Sequence, residues 1–216
     1  MTTQARADEG GNASDDFGDD VPFVLVAGYA GSGKSEAGKL LASVTGWALI
    51  DKDTLTRPFV EALLRAHGVD PDDRQSPFYL EQVRPLEYDC LLKTCWENLE
   101  HGIPVVAVAP FLREVTDPRW NDRTRRHAAR LGAATEVLWV DSDHTSMRER
   151  LTSRNASRDT WKLANWREYV RTVVVSSRPE GPYEAVDNRV SAGTPLAEQI
   201  EAVAERLLAR HGQVAA

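Results

Sequence analysis

The chain has 216 residues, 42% of them hydrophobic, and a formal net charge of -7. This suits one α/β domain with a buried core and does not favour binding to nucleic acid or to an anionic membrane surface, although a local basic patch stays compatible with it. No apolar run approaches the ~18 residues that span a bilayer, the N-terminus lacks a signal-peptide pattern, and the cysteines, Cys90 and Cys95, form no CxxC or Cys/His cluster, so we predict a cytoplasmic protein with reduced thiols.

The predicted elements alternate between strands and helices after an acidic N-terminal segment. Residues 1–20 carry too few apolar side chains to order themselves, which predicts a disordered acidic tail, with an interaction arm as the alternative. The strands are predicted at 22–27, 47–51, 104–111, 136–141 and 183–188. The helices are predicted at 34–44, 54–68, 79–101 (bent or begun afresh at Pro85), 121–131, 143–153 and from 195 onward. The segment RNASRDTWKLANW breaks the helix that ends at 153, and another helix follows it to about 175. This alternation within residues 21–212 indicates one α/β domain with three α/β/α layers and a five-stranded parallel sheet, which binds ligands at the carboxyl ends of its strands.

The turn after the first strand carries the most specific pattern in the chain. Its eight residues fit G-x-x-x-x-G-K-[ST] and are Gly28, Tyr29, Ala30, Gly31, Ser32, Gly33, Lys34 and Ser35. Glycines let the backbone curl so that its N–H groups and the following helix N-terminus surround a polyphosphate. In such a loop the lysine reaches the β- and γ-phosphates and the serine hydroxyl binds Mg²⁺. A chance match is expected in roughly 1% of chains of this length, so we predict a P-loop that binds a nucleoside triphosphate.

Two aspartates follow the second strand, in the segment LIDKDTLTRPF. A kinase needs a base near the γ-phosphate to take the proton of the acceptor hydroxyl. We predict Asp53 as that base and Asp51 as a supporting or metal-shell acid. The structural alternative for Asp53 is an N-cap of the next helix.

The segment RERLTSRNASRDTWKL supplies a second set of charges after the fourth strand. Arg154 and Arg158 are four residues apart in a region, about 152–163, that we interpret as a lid over the phosphates. Guanidinium groups there would offset charge that develops on the transferred phosphoryl group. The alternative is a solvated helix face, and Arg148, Arg150 and the arginines of 123–130 we interpret as surface residues.

Together, the P-loop, the DKDTLTR segment and the arginine lid resemble the P-loop small-kinase group of AAA-type ATP-binding proteins. This group includes zeta-toxin-type sugar-nucleotide kinases, chloramphenicol phosphotransferase, gluconate kinase and polynucleotide 5′-hydroxyl kinases. The resemblance implies the P-loop NTPase fold, ATP with Mg²⁺ as cofactors, and O-phosphorylation. The base of the group matches Asp53, and its lid arginines match Arg154 and Arg158.

Two features depart from the pattern of the group. The third strand, PVVAVAPFL, lacks the terminal aspartate that would hold the metal, so Ser35 is the predicted metal ligand, with water or Asp51 beside it. The segments 57–90 and 110–120, where acceptor specificity would lie, match no motif. Their aromatic residues are interpreted either as ordinary core or as walls of a pocket for a ring-bearing acceptor: Tyr79, Tyr88, Phe111 and Trp120.

The sequence therefore predicts an ATP-dependent kinase acting on a hydroxyl of a small molecule, such as an antibiotic, a nucleoside, a sugar or a sugar nucleotide. A polynucleotide 5′-hydroxyl kinase is the alternative, with the arginines of 113–130 as its basic groove, although the acidic chain does not favour it. A third interpretation, supported by the missing acid on the third strand, is an ATP-sensing regulatory or toxin-like module without efficient transfer.

Overall fold

A computed structural model describes residues 20–212. The predicted tail thus lies, but for its last residue, outside the described part. Within that part no helix is long and apolar enough to cross a membrane.

The strands and helices follow the predicted alternation. The strands are β1 (Val21–Ala27), β2 (Ala48–Asp51), β3 (Val105–Val108), β4 (Ala133–Asp141) and β5 (Glu184–Asp187). The helices are α1 (Lys34–Thr45), α2 (Lys52–Ala66), α3 (Arg84–Glu100), α4 (Pro118–Arg130), α5 (His144–Arg154), α6 (Thr160–Ala164), α7 (Trp166–Arg171) and α8 (Leu196–His211). A π-helical turn, Tyr79–Val83, precedes α3, and a 3₁₀ turn, Ser157–Asp159, precedes α6.

The five strands form one parallel sheet in the order β2-β3-β1-β4-β5. This confirms the predicted α/β fold with a five-stranded parallel sheet. Strand β1 lies in the middle, with Val24 beside Val106 of β3 and Glu136 of β4. The central strand therefore directs the P-loop to the middle of the sheet edge at which the strands end.

The two faces of the sheet are covered by different helices, and this explains why β1 reads as a continuous apolar run. Phe23 and Leu25 face a core that includes Leu91 and Leu99 of α3. Val24 and Val26, the alternate residues, face a second core, to which α1 and α8 contribute Leu41, Ile200, Val203 and Leu207. A strand buried on both faces has no polar side to present to water.

The chain after α5 follows the predicted break but contains a helix that was not predicted. Asn155 adopts a left-handed conformation, φ 46°, and ends α5. The short helix α6 lies within the predicted break, and α7, which follows it after Asn165, ends at Arg171, before the predicted end at about 175. A side-chain amide tolerates the left-handed region better than most residues do, so asparagine stops the helix here.

Candidate active site

The P-loop, residues 28–35, turns its carbonyl groups towards donors of the surrounding protein. Asn188 Nδ2 donates to the Ser32 carbonyl at 2.8 Å, and Arg150 Nη1 to the Gly31 carbonyl at 3.4 Å. Tyr169 Oη approaches the Ala30 carbonyl at 3.5 Å. By contrast, the N–H groups of Gly31, Gly33, Lys34 and Ser35 have no acceptor among residues 20–212. A loop with engaged carbonyls and free N–H groups is suited to bind an anion.

Two glycines are required for this conformation. Gly31 and Gly33 have φ of 82° and 93°, in the region that disfavours side chains. A Cβ on Gly33 would lie 2.0 Å from Asn188 Nδ2, and one on Gly31 2.7 Å from the Met147 carbonyl oxygen. The close packing of the loop against Asn188 and Met147 thus requires glycine at both positions, and the free N–H groups of the loop fit a polyphosphate.

Lys34, the first residue of α1, lies half-buried at the mouth of the loop. Its Nζ donates to the Tyr29 carbonyl at 3.4 Å. Burial lowers its pKa to about 8, a net result in which Asp53 and Asp51 oppose the effect and Arg154 and Lys52 add to it. No carboxylate of the described chain forms an ion pair with this lysine, so its charge is available to a ligand.

Ser35, the predicted metal ligand, lies within hydrogen-bond distance of Asp51. Ser35 Oγ donates to Asp51 Oδ2 at 3.0 Å. The other oxygen of Asp51 accepts from the N–H groups of Asp53 and Thr54, at 2.9 and 3.1 Å, and so caps α2. The strand β3 ends in Val108, which lies beside Asp51 in the sheet. Asp51 is therefore the carboxylate nearest to the position at which the third strand lacks an aspartate. In the described part no three histidine, cysteine or acidic side chains form a metal-binding group.

Asp53 lies in the first turn of α2 and is not its N-cap, which is Asp51. Lys52 Nζ lies 3.0 Å from Asp53 Oδ1, and Arg158 Nη2 lies 3.3 Å from Oδ2. Burial raises the pKa of Asp53, but Lys52, Arg158 and Lys34 together outweigh it and hold the pKa well below its usual range. Asp53 therefore stays ionised at neutral pH and can accept a hydrogen bond.

A buried network of hydrogen bonds holds the Lys52 side chain in place. Its Nζ lies 2.6 Å from Glu87 Oε1, and both residues are less than 5% exposed. Glu87 also accepts from Thr56 Oγ1 at 3.0 Å and from the Tyr79 hydroxyl at 2.6 Å. The network joins α2, the π-helical turn and α3, and it positions the Lys52 ammonium beside Asp53.

The cationic side chains of the lid, residues 152–163, form ion pairs with two aspartates. Arg158 pairs with Asp53, whereas Arg154 contacts the fully buried Asp159, to which Lys162 Nζ also donates at 3.1 Å. Ser157 Oγ donates to Asp72 Oδ1 at 2.8 Å, which joins the lid to the loop before the π-helical turn. Both predicted arginines thus face the same cavity as the P-loop.

This cavity has a volume of about 280 Å³ and brings the predicted groups together. It is lined by the phosphate-binding and catalytic candidates Lys34, Ser35, Asp51, Asp53, Arg154 and Arg158. The segment 74–88 contributes a further part, which we call the acceptor wall, with Arg74, Gln75, Tyr79, Leu80, Arg84 and Tyr88. The cleft thus brings the predicted phosphate-binding and catalytic residues together with the residues of the acceptor wall.

The aromatic residues of the predicted pocket divide into two pairs. Tyr79 and Tyr88 line the cavity. Phe111 is fully buried in the core, where Trp120 packs against it at a ring-centroid distance of 6.1 Å. The pocket interpretation thus fits the two tyrosines, and the core interpretation fits the other two residues.

Several site residues lie outside the sequence predictions. Lys162 follows Arg158 by four residues, as Arg158 follows Arg154. The same spacing could therefore have identified Lys162 as a further cation of this site. Arg150, predicted to be a surface residue, instead contacts the P-loop and the Asn188 carbonyl. No residue of 113–130 lines the cavity, so the arginines there add no basic groove to this site.

Comparisons with known proteins agree with this geometry. The sequence pattern of the AAA domain family matches residues 23–175. No curated protein matches the chain in sequence.

Solved structures share the fold at low sequence identity. A putative kinase from Chloroflexus aurantiacus j-10-fl has a TM-score of 0.60 and 16% identity, over 86% of this chain and 98% of that one. A gluconokinase from Sinorhizobium meliloti 1021 has a TM-score of 0.53 and 22% identity, over 87% and 93%. The Mycobacterium tuberculosis APS kinase in complex with AMPPNP and APS has a TM-score of 0.50 and 19% identity, over 87% and 98%. At these identities the likeness establishes the fold of P-loop small kinases.

Proposed function

The chain belongs to the AAA domain family, and we propose that it is an ATP-dependent phosphotransferase that moves the γ-phosphate of ATP to a hydroxyl group of a small molecule. One observation carries this proposal. A single cavity joins Lys34 and Ser35 of the P-loop, the Asp53 carboxylate, the lid arginines and the acceptor wall. The APS kinase in complex with AMPPNP and APS, which has the same fold, supports the proposal as an example of a protein that holds two such molecules together.

The P-loop residues supply the grip on the triphosphate. The free N–H groups of Gly31, Gly33, Lys34 and Ser35 would surround phosphate oxygens, and the Lys34 ammonium would offset their charge. Ser35 and Asp51 would hold Mg²⁺, which when bound neutralises charge on the β- and γ-phosphates. The amide of Asn188 and the guanidinium of Arg150 keep the loop carbonyls turned away from the anion.

Asp53 orients the acceptor in this proposal. As the acceptor oxygen forms its bond to the γ-phosphorus, the bond to the β,γ-bridging oxygen breaks, ADP leaves, and the hydroxyl proton passes to Asp53. A carboxylate with a low pKa is a weak base, so Asp53 first aims the acceptor oxygen through this hydrogen bond and takes the proton only as the bond to phosphorus forms. Arg154 and Arg158 would offset the charge that develops on the transferred group.

A turnover assay across acceptor classes tests the proposal. The protein is incubated with Mg²⁺, ATP and, in turn, antibiotics, nucleosides, sugars, sugar nucleotides and oligonucleotides. We expect ADP release that one acceptor class accelerates, together with a product heavier by one phosphoryl group in mass spectrometry. Lys34→Ala serves as the control that removes transfer. Slow ATP hydrolysis that no acceptor accelerates would contradict transfer and favour an ATP-sensing module.

A further inference from the structure

The acceptor wall carries two guanidinium groups that stack on its two tyrosines. Arg74 lies 5.2 Å from the ring centroid of Tyr79, and Arg84 lies 4.3 Å from that of Tyr88. A guanidinium that stacks on a ring keeps its N–H groups in its own plane, where they remain free to bind an acceptor atom. The two stacks therefore hold N–H donors in fixed positions on the surface of the cavity.

These two arginines are only partly neutralised. Arg74 Nη1 donates to the carbonyls of Pro71 and Asp73, at 3.0 and 2.6 Å, and this arginine forms no ion pair within residues 20–212. Arg84 Nη2 donates to Glu114 Oε1 at 2.7 Å. The remaining N–H groups of both side chains have no acceptor in the described chain. Glu114 thus pairs with Arg84, and Asp73 lies near Arg74, whose charge is one of the causes that lower the pKa of the Asp73 carboxyl group.

The other acids near the wall are engaged elsewhere. The three carboxylates that line the cavity are Asp51, Asp53 and Asp159. They contact, respectively, Ser35, the pair Lys52 and Arg158, and the pair Arg154 and Lys162. Glu87 is turned to Lys52 and Tyr79, and Asp73 Oδ1 accepts from the N–H groups of its own loop. The acceptor wall therefore keeps guanidinium N–H groups of Arg74 and Arg84 for which the described chain offers no acceptor.

We propose, on the basis of the proposed function, that the acceptor carries an oxyanion, a carboxylate or a phosphate ester, and that Arg74 and Arg84 bind it. Planar N–H groups match both kinds of oxyanion, and charge-assisted hydrogen bonds in a partly buried cleft are strong enough to orient a small molecule. The anion anchors one end of the acceptor at the wall, while its hydroxyl meets Asp53. A neutral acceptor would offer these free N–H groups no charged partner.

Binding of small anions to the nucleotide-loaded protein tests this site without knowledge of the acceptor. The protein is saturated with Mg²⁺ and AMPPNP, so that the P-loop is occupied, and the arginine Nε–H signals are followed by NMR at constant ionic strength. Inorganic phosphate, glycolate and neutral glycerol are the probes. We expect saturable shifts of the Arg74 and Arg84 signals with at least one anion and none with glycerol, and the stronger anion distinguishes a phosphate ester from a carboxylate.

Matched variants separate the site from general charge effects. Arg74→Gln should weaken anion binding by on the order of tenfold or more, the loss expected for a charged hydrogen bond. Arg65→Gln, which removes the same charge from the exposed pair with Glu61 on α2, should leave it unchanged. If Arg74→Gln lowers the melting temperature, Arg84→Lys takes its place, because it keeps a cation opposite Glu114 and loses the planar fork.

The outcomes separate this inference from the proposed function. If AMPPNP binds and neither anion gives a saturable shift, or if the arginine variants bind the anions as the unmodified protein does, the acceptor inference is wrong and the kinase proposal stands. If AMPPNP does not bind, the kinase proposal fails, and the inference that rests on it fails too.

Discussion

At the scale of single residues, Asp53 lies between two cations that keep it ionised. We expect Asp53→Asn to cut turnover by about 10²-fold or more, because an amide cannot take the acceptor proton. Nucleotide affinity should change little, since the free N–H groups of the P-loop remain. Steady-state kinetics with the acceptor found in the panel, together with calorimetric titration of the nucleotide, measures both. Asp122→Asn on the surface of α4 is the control, and near-normal turnover of Asp53→Asn would refute the assignment.

The pKa of Lys34 gives a second prediction at this scale. In the free protein the pKa is about 8, whereas the bound triphosphate requires the charged ammonium. The protein must therefore take up a proton on binding when the pH is above 8. We expect the affinity for Mg²⁺·ATP to be constant below pH 8 and to fall towards tenfold per pH unit above it.

Calorimetry at pH 7, 8 and 9, in buffers of different ionisation enthalpy, measures this proton uptake. Lys34→Arg is the matched control, because a guanidinium stays charged over this range and the pH dependence should vanish. Equal affinity of the unmodified protein at pH 7 and pH 9 would contradict the lowered pKa.

A site residue could be predicted from the sequence when the residues that it contacts lie close to it in the chain. The P-loop and Asp53 each lie in a short segment where a strand is followed directly by a helix. Arg150 was placed on the surface because its partners, Gly31 and Asn188, lie 119 and 38 residues away in the chain. The spacing of residues within one segment does not indicate contacts between distant parts of the chain. The contact of Ser157 with Asp72 is a further example.

At the scale of elements, the buried contact of Lys52 with Glu87 joins α2 to α3. We expect Glu87→Ala to lower the free energy of unfolding by about 3–5 kcal/mol, because Lys52 and the Tyr79 hydroxyl would lose their buried partner. Urea unfolding measures the loss. Asp89→Ala removes an exposed pair with Lys93 on the same helix and should leave the free energy of unfolding nearly unchanged. Equal losses of unfolding free energy in the two variants would show that the buried network stabilises the fold no more than an exposed ion pair does.

The elements themselves were largely predictable, apart from their interruptions. Apolar periodicity and terminal glycines identify the long helices, and the apolar run identifies β1. The π-helical turn before α3 and the short helix α6, which lies within the predicted break after α5, are not indicated by apolar periodicity. Tyr79, within that turn, donates to Glu87 of α3, a side-chain contact that the apolar pattern does not show.

At the scale of the whole molecule, alternation of strands and helices predicts a parallel sheet but does not fix its order. The order β2-β3-β1-β4-β5 places the P-loop between the ends of β3 and β4, and it sets Asp51 of β2 within hydrogen-bond distance of Ser35. A ligand held at this edge would contact residues that follow β1, β2 and α5, so its binding should stabilise the whole domain and not one element.

This gives a prediction for thermal unfolding. A non-hydrolysable ATP analogue with Mg²⁺ at ~100 times its dissociation constant stabilises the folded state by about 2.7 kcal/mol. For a domain of this size we expect the melting temperature to rise by about 5–10 °C, as one cooperative transition in scanning calorimetry. Lys34→Ala should lose most of this shift at the same ligand concentration, whereas Lys39→Ala, on the exposed face of the same helix α1, should retain it. A shift that Lys34→Ala keeps in full would show that the nucleotide is held elsewhere on the molecule.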